Sequence, residues 1–252
     1  QYICRNLPDG AEHLKGRDTV MRIIHYMNQF FGGIGGEDKA DFPLTVKDGP
    51  IGPGRLLQTK LEELANIEAT IVCGDNTAQY SPQHIQEEIE KWIHAYQADV
   101  LIAGPAFASG RYGLACAEAA EAGRSAGIKT IVAMHPENPG VSLCPASAVI
   151  VKSGDSAGDM AGAMAHIAAL LFRWANKESL TSKEQGYCVR RNIRCNVFSR
   201  RTGARRAVDM LLAKMKTESY VNEHTSPEFS WVDPAPPIES ALAKIALVTT
   251  GG

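Results

Sequence analysis

The sequence has no close CxxC pair: its 6 cysteines, Cys4, Cys73, Cys116, Cys144, Cys188 and Cys195, stand far apart in 252 residues. A chain of this length builds its core without disulfide staples, so scattered thiols point to a reducing compartment. Nor does any run approach the roughly 18 apolar residues that cross a bilayer. The N-terminal stretch QYICRNLPDGAEHLKGRDTV is polar and lacks the apolar centre of a signal peptide. These absences lead to the expectation of a cytoplasmic protein. Charge of one sign is missing too: 26 Lys plus Arg face 28 Asp plus Glu, for a formal net charge of -2. That balance excludes a global basic field for nucleic acid or an anionic membrane. An HExxH metal motif, a GxGxxG in a strand-turn-helix setting and a phosphate-binding GK[ST] loop are all absent, so no metal centre or nucleotide loop is expected. Solenoid repeats and low-complexity tracts are absent as well.

What is present is an alternation of short apolar runs with longer amphipathic ones, the signature of βαβ units. MRIIHY (21–26), ATIVCG (69–74), DVLIAG (99–104), KTIVAM (129–134) and SAVIVK (147–152) read as strands, rich in Ile and Val and without strict alternation, as strands covered on both faces are. Ser81-Pro82 opens a helix whose stripe is Ile85, Ile89, Trp92 and Tyr96. Further helices are predicted over 111–126, with an alanine stripe, and over 157–176, where Met160, Met164, Ile167, Leu171 and Trp174 share a face. Segments 55–65 and 203–215 complete the helical set. The fold class expected is α/β: an open, mostly parallel, Rossmann-like sheet with helices on both faces, followed by the start of a second α/β domain. The expected organisation is a leader or flexible extension at 1–20, an α/β domain at 21–175, and a helical, basic and proline-rich linker region at 176–240. The first strand of a truncated second domain is expected at 241–252. The strand order is not given by this pattern.

Ligands of open parallel sheets bind beyond the carboxyl ends of the strands, where loop backbone and helix N-termini converge. The loops there read NQFFGGIGGED, GDNTAQYS, GPAFASGRYG and HPENPGV. From these the candidate substrate-binding residues are Asn28, Phe31, Gly32, Gly33, Gly35, Gly36, Glu37, Asp75, Asn76, Arg111, Tyr112, Glu137 and Asn138. The glycines suit either a nest of backbone N–H groups around an anionic or zwitterionic ligand or a tight structural loop. Glu37, Asp38 and Asp41 suit a cationic amine, a metal or plain solvent. Arg111 suits a carboxylate ligand or an ordinary ion pair. Phe30, Phe31, Tyr80 and Tyr112 offer aromatic faces to a methylated ammonium or pack in the core. Cys73 and Cys116 read as thiol nucleophiles or as unreactive buried thiols. The arginines at 190, 191, 194, 200, 201, 205 and 206 suit a subunit or domain interface better than nucleic acid, since few aromatics interleave them.

Taken in order, MRIIHYMNQFFGGIGGEDKAD, GPIGPG, IVCGDN, AGPAFASGRYGLAC, NPGV and RTGARRAVDML resemble the large selenoprotein subunit of component B in glycine, sarcosine and betaine reductases. The resemblance runs from Met21 to Gly252. It implies reductive cleavage of a substrate C–N bond, leading to acetyl phosphate. The partners it implies are a pyruvoyl-bearing component B subunit, the selenoprotein called protein A, component C, the thioredoxin system and a small amine substrate; nucleic acid and membranes are not among them. It also implies that the attacking selenocysteine belongs beyond the KIALVTTGG strand, so no catalytic residue and no cofactor is carried over to this chain and the chain alone is expected to be inactive. Two other classes stay open: a non-catalytic α/β assembly subunit, and an α/β isomerase or lyase using the acidic rim residues with a metal.

Overall fold

The computed structural model describes residues 20–190, 200–220, 233 and 244. The expected leader, most of the proline-rich linker and most of the proposed final strand lie outside the described residues. Those described fall into two compact units divided between 193 and 194.

The first unit is built on β1 (Met21–Asn28), β2 (Thr45–Asp48), β3 (Ala65–Cys73), β4 (Val100–Ala103), β5 (Lys129–Met134) and β6 (Val149–Lys152). They form one six-stranded sheet in the order β2-β3-β1-β4-β5-β6, parallel except for β2, which runs antiparallel to β3. The open, mostly parallel α/β sheet expected from the sequence is therefore the observed one. The strand missed by the reading, β2 (TVKD), has a single aliphatic residue, Val46, and no buried position. Such a short, charged edge strand leaves no hydrophobic period to detect, and its Lys47 discourages pairing with another chain.

The helices are α1 (Pro53–Leu61), α2 (Asp75–Tyr80), α3 (Pro82–Ala95), α4 (Gly110–Ser125), α5 (Gly140–Leu143), α6 (Met160–Ala175) and α7 (Ser182–Gln185). They cover both faces, and neighbouring residues of one strand serve opposite cores. Ile24, Tyr26, Ile71 and Leu101 pack with Ile85 and Ile89 of α3 and Ala119 of α4. Ile23, Ile67 and Ile102 pack instead with Leu57 of α1 and Met164, Ile167 and Leu171 of α6. In α3 the fully buried line is Ile85, Ile89 and Ile93, and the predicted Trp92 and Tyr96 sit at its margin. In α4 the alanine stripe lies against the sheet as its small side chains permit, and a Cβ at Gly123 would strike the Thr130 hydroxyl.

Residues 176–190 return to the edge strand: Val189 N–H donates to the Ile150 carbonyl (2.8 Å) and Lys152 N–H to the Tyr187 carbonyl (2.7 Å). In the second unit α8 (Gly203–Met215) begins at Thr202, whose hydroxyl accepts from the Arg205 N–H (3.3 Å). Its apolar residues Val208, Leu211, Leu212 and Met215 are exposed.

One buried polar side chain lies in the middle of β1. His25 is fully buried, and its Nε2–H donates to the Gly104 carbonyl at 2.7 Å, leaving Nδ1 without a partner. Desolvation lowers its pKa from 6.5 to about 4. Because the unfolded chain binds that proton more readily, stability is full above about pH 6.5 and falls as pH drops toward 4. The drop amounts to on the order of 3 kcal/mol, at about 1.4 kcal/mol per pKa unit. Urea unfolding at pH 7 and pH 5 should show a lower midpoint at pH 5, and His25→Asn should flatten that difference.

Candidate functional site

The winding of the sheet places the site. From β1 the chain moves to one side, through β2 and α1 to β3; from β3 it returns across β1 to β4 and continues through β5 to β6. Right-handed crossovers then put α1 on one face and α3 and α4 on the other. At the carboxyl end of the sheet the loops after β1 and β4 depart in opposite directions, which opens a crevice between them.

A cleft of about 330 Å³ occupies that position. Asn28, Gln29, Phe30, Phe31, Gly36 and Glu37 from the first loop line it. Opposite them are Ala106, Phe107, Ser109 and Tyr112 after β4, with Asp75 at the start of α2 and Asp155, Ser156 and Ala157 after β6. Of the candidates from the sequence, Asn28, Phe31, Gly36, Glu37, Asp75 and Tyr112 therefore meet around one space. Arg111 and Asn76 stand beside it: the guanidinium donates to Asn76 Oδ1 (2.6 Å) and to both Glu37 oxygens (2.5 and 2.6 Å).

Gly32, Gly33 and Gly35 do not line the cleft, and the first loop is closed on itself. Gly32 N–H donates to the Asn28 carbonyl, Gly33 N–H to Phe30 and Ile34 N–H to Gln29, so these three donors are already used. Gly32 is required for packing, since a Cβ there would lie 2.5 Å from a Val72 methyl, and Gly33 for its backbone, at φ +71. Of the two open readings, the tight structural loop describes these residues. Glu137 is exposed and outside the cleft. Asn138 is buried and acts on the wall: its amide donates to the Phe107 and Ser109 carbonyls (both 2.9 Å), and its oxygen accepts from Gly140 N–H (2.9 Å).

Sequence reasoning missed Gln29, Phe107, Ser109, Asp155 and Ser156 as lining residues. The rule about carboxyl ends, applied to the fifth parallel strand as to the other four, would have reached Asp155 and Ser156. Phe107 and Ser109 lay within a loop already singled out.

The electrostatics are dominated by Asp75. The Glu37 and Asp155 side chains are exposed, and each has a cationic or titratable neighbour, Arg111 for the first and His135 (Nε2 3.2 Å from Oδ1) for the second. Asp75 is only 6 % exposed. Its Oδ2 accepts from Asn28 Nδ2 (3.1 Å) and Gln29 Nε2 (3.4 Å), and its N–H donates back to Gln29 Oε1 (3.0 Å). Its Oδ1 is buried with no hydrogen-bond partner. Desolvation raises its pKa, against the hydrogen bonds from Asn28 and Gln29 and the field of Arg111, which lower it. A cation beside such a group gains about 4 kcal/mol at 4 Å, where the same pair in open water gains about 1. The cleft is thus acidic where Asp75 lines it.

The aromatic wall is packed rather than open. Phe31 lies 5.8 Å from Phe107 and 5.9 Å from Tyr112, and edge-on to Phe30 at 5.2 Å. Tyr112 is fully buried, Phe107 is 3 % exposed and Phe30 60 %. Tyr80 is exposed and does not reach the cleft. Burial, with Asp75 nearby, pushes the Cys73 thiol up to about 12 and holds Cys116 well above the usual thiol range, which favours the neutral form of both. Among the described residues no group of three or more His, Cys, Asp or Glu side chains is placed to hold a metal ion, and no helix is long and apolar enough to cross a membrane.

Comparison with known proteins gives a consistent result. A family described as Glycine/sarcosine/betaine reductase selenoprotein B matches residues 20–252. The glycine reductase complex component B subunit gamma of Carboxydothermus hydrogenoformans is 43% identical over 233 residues, 92% of this chain and 54% of that protein. The sarcosine reductase complex component B subunit beta of Peptoclostridium acidaminophilum is 37% identical over 235 residues, again 92% of this chain and 54% of the relative. The betaine reductase complex component B subunit beta of the same organism is 34% identical over 237 residues, with the same coverage. The chain spans about half the length of these relatives.

The raised pKa of Asp75 has a stability cost with a definite sign. The folded state holds the proton more tightly than the unfolded chain, so stability falls as pH rises from the ordinary value of 3.8 through the folded value, and the full cost is present above it. Asp75→Asn should melt at or above the parental temperature at pH 7, with the gain shrinking toward pH 4. Thermal melts followed by circular dichroism check this, and a loss of several degrees at pH 7 would contradict it.

Proposed function

The chain belongs to the glycine/sarcosine/betaine reductase selenoprotein B family, and from that premise we propose that its α/β unit is the substrate-receiving part of a component B subunit in an amino-acid reductase complex. The observation that carries this reading is the switch-point cleft itself, lined by the acidic side chains Glu37, Asp75 and Asp155. A small amino acid brings an ammonium that these carboxylates attract, and 330 Å³ is ample for one.

In this reading the complex is cytoplasmic and works with a pyruvoyl-bearing component B subunit, protein A, component C and the thioredoxin system, leading to acetyl phosphate. Cys73 and Cys116 do not fit the selenocysteine role. Both are held as neutral thiols by burial, whereas attack on carbon needs the anion. In this reading the nucleophile corresponds to the part of the relatives that the chain does not match, and the pyruvoyl group belongs to the partner. The chain's own task is to bind and orient the amine.

Ala157 is exposed and lines the cleft, so a larger side chain there narrows the space without disturbing the core. Calorimetry should find glycine binding to the chain, weakened at least ~10-fold, about 1.4 kcal/mol, in Ala157→Phe at an unchanged melting temperature. Undiminished binding in that variant would place the amine elsewhere. Co-elution with the pyruvoyl-bearing subunit, together with no amine binding at all, would favour the assembly role instead.

A further inference from the structure

We infer that α8 is a docking surface for a helix of another protein, one whose apolar side is bordered by acidic residues. The surface belongs to the second unit and stands independently of the amine-binding reading.

Spacing and exposure lead to it together. Ala204, Val208, Leu211 and Met215 recur at intervals of four, three and four, which lines them up on one side of a helix, with Leu212 next to the line. In a helix that packs on its own core this line is the buried one. In α8 no residue is buried, and Val208, Leu211, Leu212 and Met215 are 46 to 72 % exposed. The half-buried positions are Arg206, Asp209, Met210 and Ala213, on the opposite side. The stripe is turned outward as a whole, and a helix of 13 residues gains little stability in water until such a face is covered.

The charges select the occupant. Between 200 and 216 six basic residues, Arg200, Arg201, Arg205, Arg206, Lys214 and Lys216, stand against one acidic residue, Asp209, which Arg201 (3.4 Å) and Arg205 (3.1 Å) already share. Helical geometry sets Arg205 at one edge of the stripe and Lys214 at the other, both exposed. A second copy would bring like charges together: in an antiparallel pair the arginines of the first turn would meet the lysines of the last. A bilayer surface is a poor match as well, since α8 has no aromatic side chain to anchor it there. The chain's own stretch 221–240 holds four prolines, Pro227, Pro234, Pro236 and Pro237, a composition unsuited to a helix. A separate helix with glutamates or aspartates beside its apolar side answers both the stripe and the charges.

Two synthetic helices test this on the unaltered 252-residue chain. Both are about 15 residues of alanine and leucine, the leucines at alternating helical spacings, with glutamates beside the leucine stripe in one and lysines in the other. By fluorescence anisotropy the glutamate peptide should bind at least ~10-fold more tightly than the lysine peptide. Added salt should narrow the difference. Leu211→Gln, at an exposed position, should weaken the glutamate peptide at least ~10-fold with the circular dichroism spectrum unchanged. Equal binding of the two peptides, binding of neither, or undiminished binding in the variant overturns the inference. Flotation of the chain with phosphatidylserine vesicles that Leu211→Gln abolishes would give the face to a membrane instead. Concentration-dependent dimers in sedimentation that the same variant abolishes would give it to a second copy, and either result overturns the inference.

Discussion

The handedness of the crossovers is the constraint on which the rest depends. A strand buried on both faces, as β1 is, can be left to one side and passed on the other only if the connecting helices change face. That change is visible in β1 itself, where Ile23 faces α1 and α6 and Ile24 faces α3 and α4. Because the loops leaving β1 and β4 then turn away from each other, the sheet cannot fill the space at their ends. The cleft is a consequence of topology before any side chain is chosen for it.

The side chains chosen are then those that keep one charge dry. Asp75 is tied to the β1 loop through Asn28 and Gln29, and the α2 backbone answers through its N–H to Gln29. Gly74 lets the second loop pass close to the first, since a Cβ there would run into the Ala40 carbonyl. Asn28 also receives the Phe31 N–H (3.1 Å), so one amide both holds the carboxylate and closes the aromatic turn. A carboxyl group desolvated in this way costs the folded state stability once it is ionised.

Much of this was legible from residue order, and what was not has physical reasons. The five parallel strands and the helices α1, α3, α4 and α6 follow from hydrophobic period, because long buried segments leave strong patterns, whereas the short α2, α5 and α7 leave none. The edge strand β2 was not legible, since its half-exposed residues need no pattern. Strand order was beyond reach, because it is set by which faces the crossovers take and not by any local run. Asp75 and Asn28 were found by their position just past strands, whereas the free oxygen of Asp75 is a three-dimensional fact. The glycine-rich loop was legible only in part: Gly32 has no room for a Cβ beside Val72, a contact that the sequence alone does not show.

Asn138 carries one more consequence. Its side chain bridges the carbonyls of Phe107 and Ser109 to the N–H of Gly140, and Gly113 has no room for a Cβ because of it. The wall formed by the loop after β4 is therefore fixed in length as well as in position, since an added residue would pull both carbonyls off the same amide. The exposed segment Asp155 to Ala157 is held to that wall as well, through the Ala108 N–H on the Asp155 carbonyl (3.3 Å) and the contact of the Asp155 side chain with His135 (3.2 Å). A wall joined through one amide in this way shifts as a unit, so a change at Asn138 reaches Phe107, Ser109 and Gly140 together.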